Sequence, residues 1–147
     1  MDKNVNFPNI KHETLGELRY NTKFNCYESK VVLDETQLYF HLLIEDKVEL
    51  ILNRASSIVQ HLKHYAKKAE EYAAKELLEL KNEAWLDEGE TFITDEEFQN
   101  RMRLEGLAFS SNGEVEFYYD EEEIFWGHGI LVKMDKDNCF IYANIFG

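Results

Sequence analysis

Hydrophobic positions along this chain keep a two-residue period at both ends and a helical period in the middle. Leu15 to Tyr20 reads as a short strand, and Tyr27, Ser29, Val31 and Leu33 alternate with their neighbours as a second. Asp34-Glu35-Thr36 makes a turn. Leu38, Phe40, Leu42 and Ile44 fall on one face of a third strand, with Tyr39, His41 and Leu43 on the other. Both faces are largely apolar, so this strand is expected to be central and covered on both sides.

The period changes at Asp46, a candidate helix cap. Ile51, Ala55, Ile58, Val59, Leu62, Ala66, Ala69, Ala73, Leu77 and Leu80 follow spacings of three and four, uninterrupted by Pro or Gly over residues 47–83. One straight helix of those 37 residues would be ~55 Å long, against a domain diameter near ~40 Å. A break is therefore expected around residues 60–64, near the weak helix formers Ser56, Ser57, His61 and His64. The alternative is a protruding helix that dimerises. Thr94-Asp95-Glu96-Glu97 is a capping box that opens a short helix through Met102. Leu104–Ser110 and Glu114–Asp120 flank Asn112-Gly113, a strong hairpin signal. Trp126–Met134 and Cys139–Ile145 make another hairpin. The predicted architecture is α+β: a mostly antiparallel sheet of about six or seven strands in βββ-ααα-βββ order, with the helical segment on one face. Residues 1–147 read as one domain, with 1–13 loosely ordered.

Composition narrows the function classes. Aromatics make up 14% of the chain, which argues against disorder despite a net charge of −13. No apolar run approaches the ~18 residues of a membrane helix, and the first residues lack the character of a secretory signal, so a cytoplasmic location and no membrane contact are expected. Nucleic acid is an unfavourable ligand for so acidic a chain. The charge is concentrated: residues 84–147 carry 15 acidic and 4 basic side chains. If they gather into one outward patch, the field would steer a basic protein toward it. Solubility alone is the competing reading.

The chemistry-bearing candidates are few. Cys26 and Cys139 read as reduced thiols buried in strands, and His61 and His64 as solvated side chains at a helix bend. No cofactor or metal is called for. The stretch Asp120-Glu121-Glu122-Glu123-Ile124-Phe125-Trp126-Gly127-His128 places carboxylates, aromatics and an imidazole together. His128, with Asp120 as its carboxylate partner, is the candidate catalytic pair. The same His can equally sit hydrogen-bonded on an apolar face. Trp85 and Trp126 each adjoin an acidic run, so Trp85, Asp87, Glu88, Asp120, Glu121, Glu122 and Trp126 form the candidate partner-binding set.

Two stretches carry a family resemblance: Glu76-Leu77-Leu78-Glu79-Leu80-Lys81-Asn82-Glu83-Ala84-Trp85-Leu86-Asp87 with Thr94-Asp95-Glu96-Glu97-Phe98, and Phe117-Tyr118-Tyr119-Asp120 running into Phe125-Trp126-Gly127-His128. In order and spacing over roughly residues 70–130 they resemble the uncharacterised bacterial family Domain of Unknown Function 2262; the N-terminal third departs most. The resemblance implies a small bacterial cytoplasmic α+β domain and supplies no activity, substrate or site residue. Two readings remain. One is a non-enzymatic binder of a basic protein, such as an immunity-type protein, as monomer or dimer. The other is a small hydrolase-like or metal-dependent site built from Asp120, Glu121–Glu123 and His128.

Overall fold

The computed structural model describes residues 7–43, 48–121 and 124–147. Eight strands hydrogen-bond in chain order into one sheet. The first four, β1 (Ile10–His12), β2 (Gly16–Asn21), β3 (Cys26–Leu33) and β4 (Thr36–Leu42), form an antiparallel meander. Three helices follow: α1 (Val48–Gln60), α2 (Leu62–Ala84) and α3 (Asp95–Asn100). A second antiparallel meander closes the chain with β5 (Met102–Phe109), β6 (Val115–Glu121), β7 (Gly129–Met134) and β8 (Phe140–Phe146). The helices lie in the connection between β4 and β5, which pair in parallel. Returning to the same end of a sheet requires such a crossover.

The α+β class and the mostly antiparallel sheet agree with the pattern of the sequence. The strand count is eight rather than six or seven, and the order is ββββ-ααα-ββββ. The added N-terminal strand, β1, is three residues long, too short for alternation to reveal. It pairs with β2 through Ile10 and Leu18, so the end of the segment expected to be loose is part of the sheet. Ile44 and Asp46, with the expected helix cap, lie outside the described residues.

The long helical run breaks where expected. His61 separates α1 from α2, and its amide bonds back only three residues, to Ile58 O at 3.1 Å. The Tyr65 amide then takes the His61 carbonyl at 3.1 Å. The break lets Ile51, Leu52, Ala55 and Ile58 of α1 and Ala69, Ala73 and Leu77 of α2 all face the core. Opposite them stand Leu38, Phe40 and Leu42, then Leu107 and Phe109, Val115, Phe117 and Tyr119, and Ile130 and Val132, all nearly inaccessible to solvent.

Arg54 ties α1 to the sheet end. Its guanidinium donates to Gly113 O at 3.2 Å, to Asp135 O at 2.9 Å and to the side chain of Asn138, thereby clasping the β5–β6 and β7–β8 turns together. Charge-assisted hydrogen bonds contribute about 1.5–3 kcal/mol each at the upper end. Arg54→Ala is therefore expected to destabilise the fold by about 2–3 kcal/mol in urea denaturation, since the freed carbonyls regain some water.

One expectation about β4 needs correction. It is central in the sheet, yet only one of its faces is covered. Leu38, Phe40 and Leu42 are at most 2% exposed, whereas Tyr39 is 47% and Leu43 38% exposed. All three helices belong to a single crossover and stack on one side, leaving the other face of the sheet bare among the described residues. On that bare face Gly106 of β5 sits between its two neighbours. A Cβ there would come within 2.4 Å of the Tyr39 carbonyl oxygen, so glycine is what lets β4 and β5 approach. Gly106→Ala should push the strands apart at a cost of about 1–3 kcal/mol, visible as a lowered urea midpoint with faster amide exchange in β4 and β5.

Candidate functional site

The two tryptophans that the sequence separates by forty positions meet at one end of the molecule. Trp85 follows the last turn of α2, its amide bonding to Lys81 O at 3.0 Å. Trp126 lies in the turn between β6 and β7. The indole centroids are 4.7 Å apart, and Trp85 also packs edge-on against Phe125 and His128, each at 5.6 Å. Phe125 is fully buried and reaches Phe98 of α3 at 6.0 Å. Trp126 is 54% exposed. The cluster is thus a buried base with one indole standing on it in solvent.

The backbone beneath Trp126 is unusual for so large a side chain. Trp126 has φ +52° and Gly127 φ +90°, and the His128 amide donates to Phe125 O at 3.1 Å. Two consecutive left-handed residues closed by an i to i+3 bond make a primed turn, for which Asn-Gly is the favoured pair. A bulky aromatic in the first position is strained by about 1 kcal/mol or more.

Around this indole the acidic residues divide into two groups. Asp87, Glu88 and Asp120 are exposed at the tryptophan end. The box at the start of α3 is there too, with Thr94 Oγ1 accepting the Glu97 amide at 3.1 Å and Glu97 accepting the Thr94 amide at 3.0 Å. Glu114, Glu116, Asp135 and Asp137 lie at the opposite end, because Val115 pairs with Met134 while Tyr119 pairs with Ile130. Along β6, Asp120 is separated from Glu116 by ~14 Å and from Glu114 by ~20 Å. Expecting one continuous patch is therefore wrong: the hairpin returns the chain and carries Glu114, Glu116, Asp135 and Asp137 away. Neutralisation by Lys63, Lys67 and Lys68 of α2 does not occur among the described contacts. Lys63 pairs with Asp34, Lys67 donates to Gln99 and Lys68 faces Glu71.

One acid of the tryptophan end is withdrawn from the surface. Glu90 binds the fully buried Lys81 at 2.8 Å and Arg101 at 3.2 Å, and it accepts the Asp87 amide at 2.9 Å. The hydrogen bond from Lys81, followed by that from the Asp87 amide, lowers the Glu90 carboxyl to about 2. Lys81 also donates to Trp85 O at 2.6 Å. This knot fixes the loop that presents Trp85, Asp87 and Glu88.

The candidate catalytic pair is not brought together. Asp120 lies across from Arg103 on the bare face of the sheet. His128 instead turns onto Trp85, and its Nδ1 lies 2.9 Å from Gly147 O. Glu122 and Glu123 lie outside the described residues, as does the side chain of Glu121. Among the described residues no group of three or more His, Cys, Asp or Glu side chains converges as a metal site. Cys26 is buried as expected, its thiol pushed upward by burial and then by the Glu28 charge. Cys139 is exposed, because it ends the β7–β8 turn, one residue before β8 begins.

The family model for an uncharacterized protein conserved in bacteria (DUF2262) matches residues 12–145. The chain belongs to this family. Neither a curated protein nor a solved structure matches it. Among the described residues of this DUF2262 domain no helix is long and apolar enough to cross a membrane. Sequence reasoning passed over the row Tyr39, Gly106 and Tyr118 on the bare sheet face. Its signal was the pair of small residues Gly106 and Ala108 within an otherwise bulky strand.

Proposed function

We propose that this DUF2262 domain is a non-enzymatic protein-binding module that docks a basic partner at its tryptophan end. The carrying observation is Trp126: an indole held half in solvent, on a strained turn, tilted against a second indole. Packing within the fold does not require such a residue, since Asn in the same turn would relieve the strain. A rigid aromatic rimmed by charge matches the anatomy of an interface hot spot. The rim is Asp87, Glu88 and Asp120, with Glu121 and Glu122 next in the chain. A cytoplasmic immunity-type role, in which the domain caps a basic toxin, is the form of this function that uses the charge best, because acidic steering speeds capture.

Affinity capture from a bacterial host, run at low and at high salt, tests this reading. The expected outcome is a basic protein retained by the wild-type domain, weakened by salt and lost with Trp126→Ala. Retention of the same protein by Trp126→Ala would remove the tryptophan end from the account.

A further inference from the structure

The bare face of the sheet contains a built depression that protein docking at Trp126 leaves unused. Tyr39 of β4, Gly106 of β5 and Tyr118 of β6 stand in one cross-strand row. Two strand spacings separate the tyrosines by ~9.5 Å at their bases. A flat ring stacked between two others needs ~7–8 Å. The gap over Gly106 is therefore wide enough for one planar group.

Both tyrosines lean away from it. Tyr39 is drawn toward Lys30 of β3, whose Nζ is 5.7 Å from the ring centroid, and Tyr118 packs edge-on against Phe146 of β8 at 5.6 Å. The next outward residue of β5 is Ala108, so the floor stays low along the strand. The depression has a volume of about 690 Å3 and a mainly apolar lining that includes Phe24 and Leu43. That size lies within the ~300–1,000 Å3 of small-molecule sites.

Its charges have one sign to spare. Glu28 faces His41 at 3.1 Å, and Glu116 accepts the Tyr118 hydroxyl at 2.9 Å while Lys133 stands 3.9 Å away. Glu105, at the β-bulge beside Gly106, has no ion-pair partner among the described residues. Burial and then the like charge of Asp120 raise its carboxyl, so a cation placed there would favour its charged form.

The geometry points to a site for a small organic cation with a flat apolar body, an arylalkylamine, whose ring lies over Gly106 between Tyr39 and Tyr118 and whose ammonium meets Glu105. The Glu105 carboxylate favours that charge, and the flanking tyrosine rings favour the flat body through ring–ring packing. An arylalkyl carboxylate would meet Glu28, Glu105 and Glu116, and a neutral analogue would gain only the apolar part.

Calorimetric titration of the full chain with phenethylamine tests this, beside 2-phenylethanol and 3-phenylpropionate as neutral and anionic probes of the same shape. Saturable binding of the amine is expected, with at least tenfold weaker binding of the alcohol and none of the carboxylate. Glu105→Gln, an exposed change, should weaken the amine about tenfold, the loss of one charge-assisted contact. Ala108→Leu should fill the floor and abolish binding, its thermal melt reporting that the fold survives. Trp126→Ala should bind the amine as wild type does, which separates this site from the docking surface. No saturable amine binding, equal binding of the alcohol, or undiminished binding by Glu105→Gln would overturn the proposal.

Discussion

Glu90→Ala should be the most damaging single substitution near the tryptophan end. It leaves the ammonium of Lys81, which is 0% exposed, without the Glu90 counter-charge, and it removes one partner of Arg101 and the acceptor of the Asp87 amide. Breaking a buried ion pair by deleting one partner costs about 3–5 kcal/mol. For a domain of this size that corresponds to a fall in Tm on the order of 10 °C. Lys81→Met should cost less, since the apolar replacement fills the same space and Glu90 keeps Arg101. The pH dependence has a definite sign. The Glu90 carboxyl is lowered from 4.5 to about 2, so its stabilisation is complete above pH 4.5 and is lost as the pH falls toward 2. Thermal melts of wild type across that window should show this decline. Glu90→Gln should start lower at neutral pH and decline less, and parallel curves would show that the knot does not govern acid stability.

Trp126→Asn should separate binding from stability. Asn accepts the left-handed conformation that Trp126 holds at φ +52°, so the turn loses its strain. The indole contact with Trp85 is lost in exchange, a term of about 0.5–1.5 kcal/mol. The two offset, and stability should stay within about 1 kcal/mol of wild type. Partner affinity should fall by two orders of magnitude or more, as for an interface hot spot worth about 3 kcal/mol. Equilibrium urea unfolding and a binding titration on the same preparations give both numbers.

Local signals in the sequence were legible because their physics is local. Ser56, Ser57 and His61 marked the helix break, Thr94 and Glu97 the capping box, and Asn112-Gly113 a hairpin in which Gly113 has φ +91° and donates its amide to Ser110 O at 3.0 Å. Features that depend on distant chain were not. The parallel pairing of β4 with β5 joins residues more than sixty positions apart, such as Tyr39 and Gly106. The burial of Lys81 follows from its place one turn beyond Leu77 on the core face, but a reading by polarity assigns that face to Leu80, which is 36% exposed. Arg54 gave no signal, since its partners are turn atoms 59 and more residues away. The acidic runs were visible as composition, yet only the register of β6 with β7 reveals that they part.

At the tryptophan end, the acidic runs marked Trp85 and Trp126 one by one, and the contact between the two indoles is a tertiary feature that no local signal carried. Convergence of Asp120 with His128 was the wrong half of the same stretch. Asp120 lies in β6 and His128 closes the turn before β7, and strand alternation directs Asp120 to the bare face while His128 turns to Trp85.

The most direct measurement is the affinity of a purified captured partner for wild type and Trp126→Asn, followed over a range of salt concentrations. The expected result is a wild-type affinity that falls steeply with salt and a variant that binds at least a hundredfold more weakly while its stability stays within about 1 kcal/mol of wild type. Equal affinities for the two proteins would contradict it.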